Sequence, residues 1–282
     1  MMIKYNVVIT GGSGFIGSSI KKMLPPKLGE EWILHFPTSS EMNLLEEKSV
    51  KEYFNSLNTP PVLTIHCAGV TPQNWAEQEP GTMFKNVLMF EHIMKYSMFV
   101  INFSSGAVFD RGKSISREEH PWLPIPKDEY GLSKLIMERC EEDVIHLRAW
   151  GIFGPDEKES RMIKRNILRY KEREKIEIYK DAKIDYFSVY DLVELLTFLI
   201  EESHYEVFPS LVDLKYVKYT TLSELSRVIN GLSTYKVPVK VLENGWGKSY
   251  YGDDSVETLV DIDFLGLEKS IQKMYKEMNE QA

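Results

Sequence analysis

Two hydrophobic textures alternate along the first half of the chain. Short apolar runs recur at Val7–Ile9, Trp32–Phe36, Val62–His66, Phe99–Phe103 and Val144–Trp150. Such runs suit strands buried on both faces of a parallel sheet. Between them, in Ile16–Leu24, Asn43–Leu57, Gly81–Tyr96 and Tyr130–Asp143, apolar residues return at the spacing of one helix face. The first helix stops at Pro25-Pro26, and the second is capped near Thr38–Glu41. Strand and helix in alternation predict an α/β fold with a parallel, doubly wound sheet. Gly151–Pro155 reads as a turn. Arg111–Asp128, polar and carrying Pro121, Pro124 and Pro126, reads as a long irregular loop.

From Asp156 the texture changes. Arg161–Arg173 is a helix dense in Lys and Arg, Lys175–Tyr179 a short strand, and Asp191–Glu201 an amphipathic helix. Val212–Tyr216, the helix Thr221–Ile229 and Val237–Val241 read as a further β–α–β-like unit, and Leu265–Met278 as a last helix. The pattern divides the chain into residues 1–155 and a smaller α/β region, 156–282. Part of that region, about 184–201, is expected to pack back on the first domain. The rest is expected to form a lid that shapes a cleft.

Composition narrows the function classes. Of 282 residues, 43% are hydrophobic and 27% charged, ordinary for a globular protein, and the formal net charge of −8 argues against nucleic acid or an anionic membrane as partner. No apolar run is long enough to span a bilayer, and the first residues run into a strand without a cationic leader, so a cytoplasmic protein is expected. Cys67 and Cys140 offer neither a disulfide framework nor a metal-ligand spacing, and no metal is expected.

The chemistry begins at VVITGGSGFIG, Val7–Gly17. A buried strand leads directly into Gly11, Gly14 and Gly17 and then a helix. One glycine makes the tight turn, one admits a pyrophosphate to the backbone, and one lets helix and strand pack closely. The helix N-terminus adds unpaired N–H groups and partial positive charge. This predicts a Rossmann-type dinucleotide domain in which Gly11, Ser13, Gly14, Phe15, Ile16 and Gly17 line the cofactor. Trp32–Ser40 contains no acid to take ribose hydroxyls and repel a 2′-phosphate, only His35, Thr38, Ser39 and Ser40. NADP(H) is therefore mildly favoured over NAD(H), with Ser39 as a contact and His35 adding charge below about pH 6.5. Tyr130 and Lys134 stand one helical turn apart, and Ser105 follows the fourth apolar run. An ammonium beside a phenol lowers its pKa toward working pH, the apparatus of proton exchange with an alcohol or carbonyl during hydride transfer.

TGGSGFIG, IHCAG at 65–69, Asn86-Val87, SSGAVFD at 104–110, YGLSK at 130–134, LRAWGIFGP at 147–155 and DYFSVYDLV at 185–193 follow one another in order. In this the chain resembles the extended short-chain dehydrogenase/reductases, the branch holding nucleotide-sugar epimerases, dehydratases and ketoreductases. The resemblance implies a catalytic set of Ser105, Tyr130 and Lys134, with Asn43, Ala68, Gly69 and Asn86 beside the cofactor together with Tyr130 and Lys134. Departures narrow it further. Gly106-Ala107 stand where dehydratases carry Asp-Glu, and Ala107 and Asp156 where fucose-forming enzymes carry Cys and His. A 4-keto sugar reductase acting on a nucleotide-linked substrate is the leading expectation. A C4 epimerase is the alternative, and a non-catalytic dinucleotide-binding protein the alternative of another class. Gly151 and Ile184 replace an Asn and an Arg that contact the substrate diphosphate, leaving Arg161, Lys164, Arg165 and Lys183 as candidate anchors. His66, Trp75, Phe109, Trp122 and Trp150 read as packing residues before anything else. A homodimer is expected through Met83–Tyr96 and Gly131–Asp143, which carry Met83, Phe84, Phe90, Met94, Leu135, Ile136 and Met137.

Overall fold

The computed structural model describes residues 4–59, 61–71, 80–109, 126–201, 207–242, 249–252 and 254–280. Trp75, Trp122 and most of the proline-bearing loop lie outside the described residues. The chain forms two compact units, one of residues 1–110, 123–148 and 195–212, the other of 111–122, 149–194 and 213–282.

The first unit is built on β1 (Tyr5–Thr10), β2 (Trp32–His35), β3 (Pro61–His66), β4 (Val100–Ser105) and β5 (Val144–Ala149). Its helices are α1 (Phe15–Met23), α2 (Glu47–Ser56), α3 (Thr82–Tyr96) and α4 (Glu129–Met137). With Leu211–Leu214 as an edge strand, the spatial order is Leu211–Leu214, β5, β4, β3, β1, β2. β1 runs parallel to both β2 (Val7 opposite Leu34) and β3 (Val7 opposite Leu63). The centre of the sheet is therefore β-branched and dry: Val7, Val8, Ile9, Ile65 and Ile101 are fully buried. On one side Val8, Val100 and Val144 pack with Val50 and Phe54 of α2, Phe90 and Ile93 of α3, and Met137 of α4. Burying such side chains supplies about 1.5–3 kcal/mol each, which is what fixes the helices on the sheet. The fold is the Rossmann-type doubly wound sheet that the alternation predicts.

The second unit contains β6 (Ile152–Phe153), α5 (Met162–Lys171), β7 (Ile176–Ile178), β8 (Lys183–Ile184), β9 (Phe187–Ser188) and the first part of α6 (Val189–Glu201). After the edge strand, now β10, come β11 (Thr220–Thr221), α7 (Leu222–Asn230), β12 (Val239–Val241) and α8 (Gly266–Glu280). Three small ladders pair β6 with β9, β8 with β11, and β7 with β12. Buried Asp191 knits the unit together, accepting from the Leu265 amide at 2.8 Å, the Gly266 amide at 3.1 Å, the Ser188 hydroxyl at 3.1 Å and the Tyr216 hydroxyl.

Four expectations change. α2 starts at Glu47 rather than Asn43, because side chains compete for the backbone before it. Asn43 Oδ1 accepts from the Leu45 amide at 3.1 Å, and Ser49 Oγ accepts from the Asn43 amide at 2.9 Å. α4 ends at Met137, not Asp143. Its last amides turn to carbonyls three residues back, and Asp143 (φ 54°) redirects the chain into β5. Gly151–Pro155 is not only a turn, since Ile152 and Phe153 pair with Phe187 and Ser188. The strand read at Val212–Tyr216 joins the edge of the central sheet, with the His146 amide donating to Ser210 at 2.7 Å, instead of pairing with Val237–Val241.

Candidate active site

The glycine loop has the shape that a pyrophosphate requires. Gly11 lies at φ +68°, and a Cβ there would stand 2.7 Å from the Ala68 amide nitrogen. A Cβ on Gly17 would stand 2.7 Å from the carbonyl carbon of Gly11, so α1 packs against the turn only through glycine. Gly14, exposed, is the N-cap of α1 with no side-chain cap, and the first turn holds no acid. The α1 N-terminus is left to an anion. Ser13 is exposed beside it, and Phe15 and Ile16 are half-buried in the first turn. At the end of β3 the Ala68 amide donates to Thr10 Oγ1 at 3.2 Å, and the same hydroxyl meets His66 Nδ1 at 2.9 Å. Burial depresses His66 to about 3, so its imidazole is neutral at working pH and serves as packing. These residues fit a dinucleotide, whose nicotinamide would supply or accept hydride.

The end of β2 differs from expectation in one respect. His35 Nε2 is bonded to Asn6 Oδ1 at 2.8 Å, and burial lowers its pKa. Its charge is therefore gained at lower pH than the 6.5 of an ordinary imidazole. Thr38 donates both its amide and its hydroxyl, each at 2.8 Å, to Glu41, the first acid beyond the acid-free stretch. In the sequence Glu41 is legible only as part of a helix cap. Its contact with Thr38 occupies two donors otherwise free for a phosphate. Ser39 stays exposed, and Asn43 Nδ2 bonds Glu46 at 2.8 Å.

Ser105, Tyr130 and Lys134 come together through backbone devices. Ser105 Oγ caps the turn after β4, accepting from the Ala107 amide at 3.2 Å. Asp128 caps α4, accepting from the Gly131 amide at 2.7 Å. A Cβ on Gly131 would stand 2.8 Å from Pro126 Cβ and 3.2 Å from the Ala107 carbonyl carbon, so the first turn of α4 sits directly on the turn after Ser105. Tyr130 precedes that glycine. Lys134 is 5% exposed and donates to the Phe103 carbonyl at 2.7 Å, with Nζ 5.7 Å from the centroid of the Tyr130 ring. Burial lowers its pKa to about 8. Asn86, 1% exposed, closes the other side: its Oδ1 accepts from the Val70 amide at 2.7 Å, and its Nδ2 donates to Ser133 Oγ at 3.2 Å. Ser133 in turn donates to the Tyr130 carbonyl at 2.6 Å. Gly69 lies next to Asn86, where an added Cβ would meet Asn86 Oδ1 at 3.7 Å. Sequence reading passes over Gly131 and Ser133, although both lie inside YGLSK.

In the second unit the candidate anchors are largely committed to the chain itself. Lys164 Nζ donates to the carbonyls of Pro155 at 2.7 Å and Glu157 at 2.9 Å. Arg161, half-exposed, is 3.6 Å from Glu157, and Arg165 Nη2 donates to the Glu177 carbonyl at 3.4 Å. Lys183 lies over the rings of Tyr219 (4.4 Å) and Tyr251 (5.5 Å). A Cβ on Gly151 would stand 2.8 Å from the Tyr186 ring, so no Asn fits there without moving that ring. Among the described residues no His, Cys, Asp and Glu gather as a metal site.

The profile of the NAD dependent epimerase/dehydratase family matches residues 7–208, and the chain belongs to that family. It is an NAD(P)-dependent short-chain dehydrogenase/reductase-type enzyme. No curated protein matches it in sequence. Among solved structures it is similar to the GDP-mannoheptose C4 reductase MlghC of Campylobacter jejuni with NADP bound, at 14% identity, TM-score 0.77 and 99% coverage of each chain. It is similar also to the dTDP-4-dehydrorhamnose reductase of Yersinia enterocolitica, at 20% identity, TM-score 0.76, covering 97% of this chain and 99% of that one. A third similarity is to a mutant of the UDP-glucuronic acid 4-epimerase of Bacillus cereus in complex with NAD, at 15% identity, TM-score 0.71, covering 98% of this chain and 100% of that one. At these identities the likeness is one of fold. Among the described residues no helix is long and apolar enough to cross a membrane.

Proposed function

We propose that this protein is an NADPH-dependent reductase of a 4-keto sugar, nucleotide-linked, with Tyr130 as proton donor. The observation that carries this is Lys134: an ammonium buried at the end of β4, one turn from Tyr130 and against its ring. A buried cation beside a phenol favours the phenolate, so the phenol can give its proton to a carbonyl oxygen and take one back. Ser105, on the same strand end, orients that oxygen by a hydrogen bond. Gly11, Gly14 and Gly17 hold the dinucleotide at the N-terminus of α1, and Asn86 fixes the backbone of Val70 and, through Ser133, of Tyr130. The reductases among the structural relatives support the substrate class, and the Asp-Glu pair that dehydration needs is absent. Cytoplasmic location and a homodimer through α3 and α4 belong to the same reading.

The test is a panel of GDP-, dTDP- and UDP-linked 4-keto sugars with NADPH, followed at the reduced nicotinamide band. One member should consume NADPH stoichiometrically, and Tyr130→Phe should slow that turnover by about 10²–10⁴-fold, the usual worth of a positioned acid, with NADPH affinity kept. An unchanged rate in Tyr130→Phe overturns the assignment. The fold likeness to a 4-epimerase favours C4 epimerisation as the second reading. It would use the same residues, but interconvert sugars without net consumption of nicotinamide. Tight NADPH binding with no turnover of either kind would point to a non-catalytic dinucleotide-binding protein.

A further inference from the structure

Four residues beyond Lys134, the C-cap residue of α4 carries a second buried charge. The side chains of Glu138 and Arg148 are 5% and 4% exposed. Their contact is bidentate, Arg148 Nη2 to Glu138 Oε2 at 2.7 Å and Nε to Oε1 at 3.1 Å. Ser104, the residue before Ser105, donates its hydroxyl to the same carboxylate at 2.5 Å. Arg148 also lies 4.9 Å from the centroid of the Phe109 ring, just past the turn that Ser105 caps. One carboxylate thus joins the last residues of β4, the helix α4 and the strand β5. Stability alone is a weak reason for such a pair, because buried ion pairs are often no better than apolar residues of equal volume.

We propose that Glu138 is a positioning residue of the candidate site, locking the strand end that bears Ser105 to the helix that bears Tyr130 and Lys134, and setting a fixed negative charge one turn from the lysine. This rests on the reading of Ser105, Tyr130 and Lys134 as the reacting set. Lys134 is faced by Cys67 and His66 from the end of β3, by His146 from β5, by Tyr130 from its own helix and by Glu138 from that helix's C-cap. Burial keeps the Cys67 thiol protonated and holds His66 and His146 neutral. Glu138 is left as the anion that opposes the desolvation of the ammonium. Without it Lys134 would lose its proton at lower pH, and with it the charge that favours the Tyr130 phenolate.

The experiment titrates Lys134 directly in the full chain, nucleotide-free, by NMR of lysine labelled with ¹³C at the ε-carbon. The resonance is assigned by its absence in Lys134→Met. The wild-type inflection is expected at about 8. In Glu138→Gln it should fall by about one unit, the size of a single close charge effect. Ser104→Ala, which keeps both charges, should leave it in place while speeding amide hydrogen exchange of residues 104–109 by about tenfold, as a local opening would. If the altered surroundings of the Arg148 guanidinium in Glu138→Gln unfold the chain, Glu138→Gln/Arg148→Met removes that group, and the inflection should still fall. An inflection unmoved in the folded charge variants overturns the proposal, as does an equal fall in Ser104→Ala. No sugar or nucleotide enters this measurement, so a failed substrate panel leaves its result readable.

Discussion

Lys134 holds a charge that its surroundings resist, and the cofactor-free protein should show the cost. Its pKa is lowered from 10.5 to about 8 by burial. Between those values the unfolded chain binds the proton and the folded chain does not, so this group makes the fold more stable as pH rises through the window. Below about 8 the penalty is present in full. Lys134→Met should therefore raise the stability of the nucleotide-free protein at pH 7 by about 1–3 kcal/mol, taking roughly 1.4 kcal/mol per pKa unit less the lost bond to Phe103. The gain should shrink as pH approaches 10. Calorimetric unfolding of both proteins at pH 7 and 9.5 tests this, and a variant less stable at pH 7 would contradict it. The same substitution should abolish turnover, so the residue trades stability for function.

At the scale of elements, cofactor choice is expected to rest on the turn after β2. Its donors are fewer than composition suggests, because Glu41 engages Thr38 and Asn6 engages His35. No acid stands on β2 itself, Trp32–Ser40 contains no arginine to clamp a phosphate, and Ser39 is exposed. NADPH should bind more tightly than NADH by about tenfold, or roughly 1.4 kcal/mol, and no more. Titration calorimetry of both nucleotides checks it. A preference for NADH would mean that Glu41 turns from Thr38 to the ribose. The order and character of the helices around the site are legible in the sequence. Their ends are not, because α2 and α4 are bounded by side-chain–backbone bonds at Asn43 and Ser49 and by the positive φ of Asp143. Apolar spacing carries no trace of such bonds.

At the scale of the whole molecule, the apolar inventory of α3 and α4 divides in two. Phe90 and Met137 are 4% and 2% exposed and belong to the core under the sheet, so they are not available to a partner. Phe84 and Ile136 are 64% and 40% exposed on helices that pack against each other. Exposed side chains of this size on adjacent helices suit a two-fold four-helix contact. Phe84→Glu combined with Ile136→Glu should convert a dimer to a monomer at micromolar concentration, read by light scattering, with NADPH affinity unchanged. A wild-type monomer under those conditions would remove the dimer from this account.

By itself the sequence determined the strand–helix alternation and the glycine loop, because each is written in local spacing, and its resemblance to a family pointed to Ser105, Tyr130 and Lys134. Tertiary structure alone decided the rest. That β10 would extend the central sheet follows from which strand edge was left open at β5, a fact about space and not about Leu211–Leu214. That Lys134 is buried follows from the Phe103 carbonyl and the Tyr130 ring that the fold sets beside it. The link from Glu138 to Arg148 and Ser104 joins residues far apart in the chain, and only the closing of α4 against β4 and β5 brings them within hydrogen-bond reach.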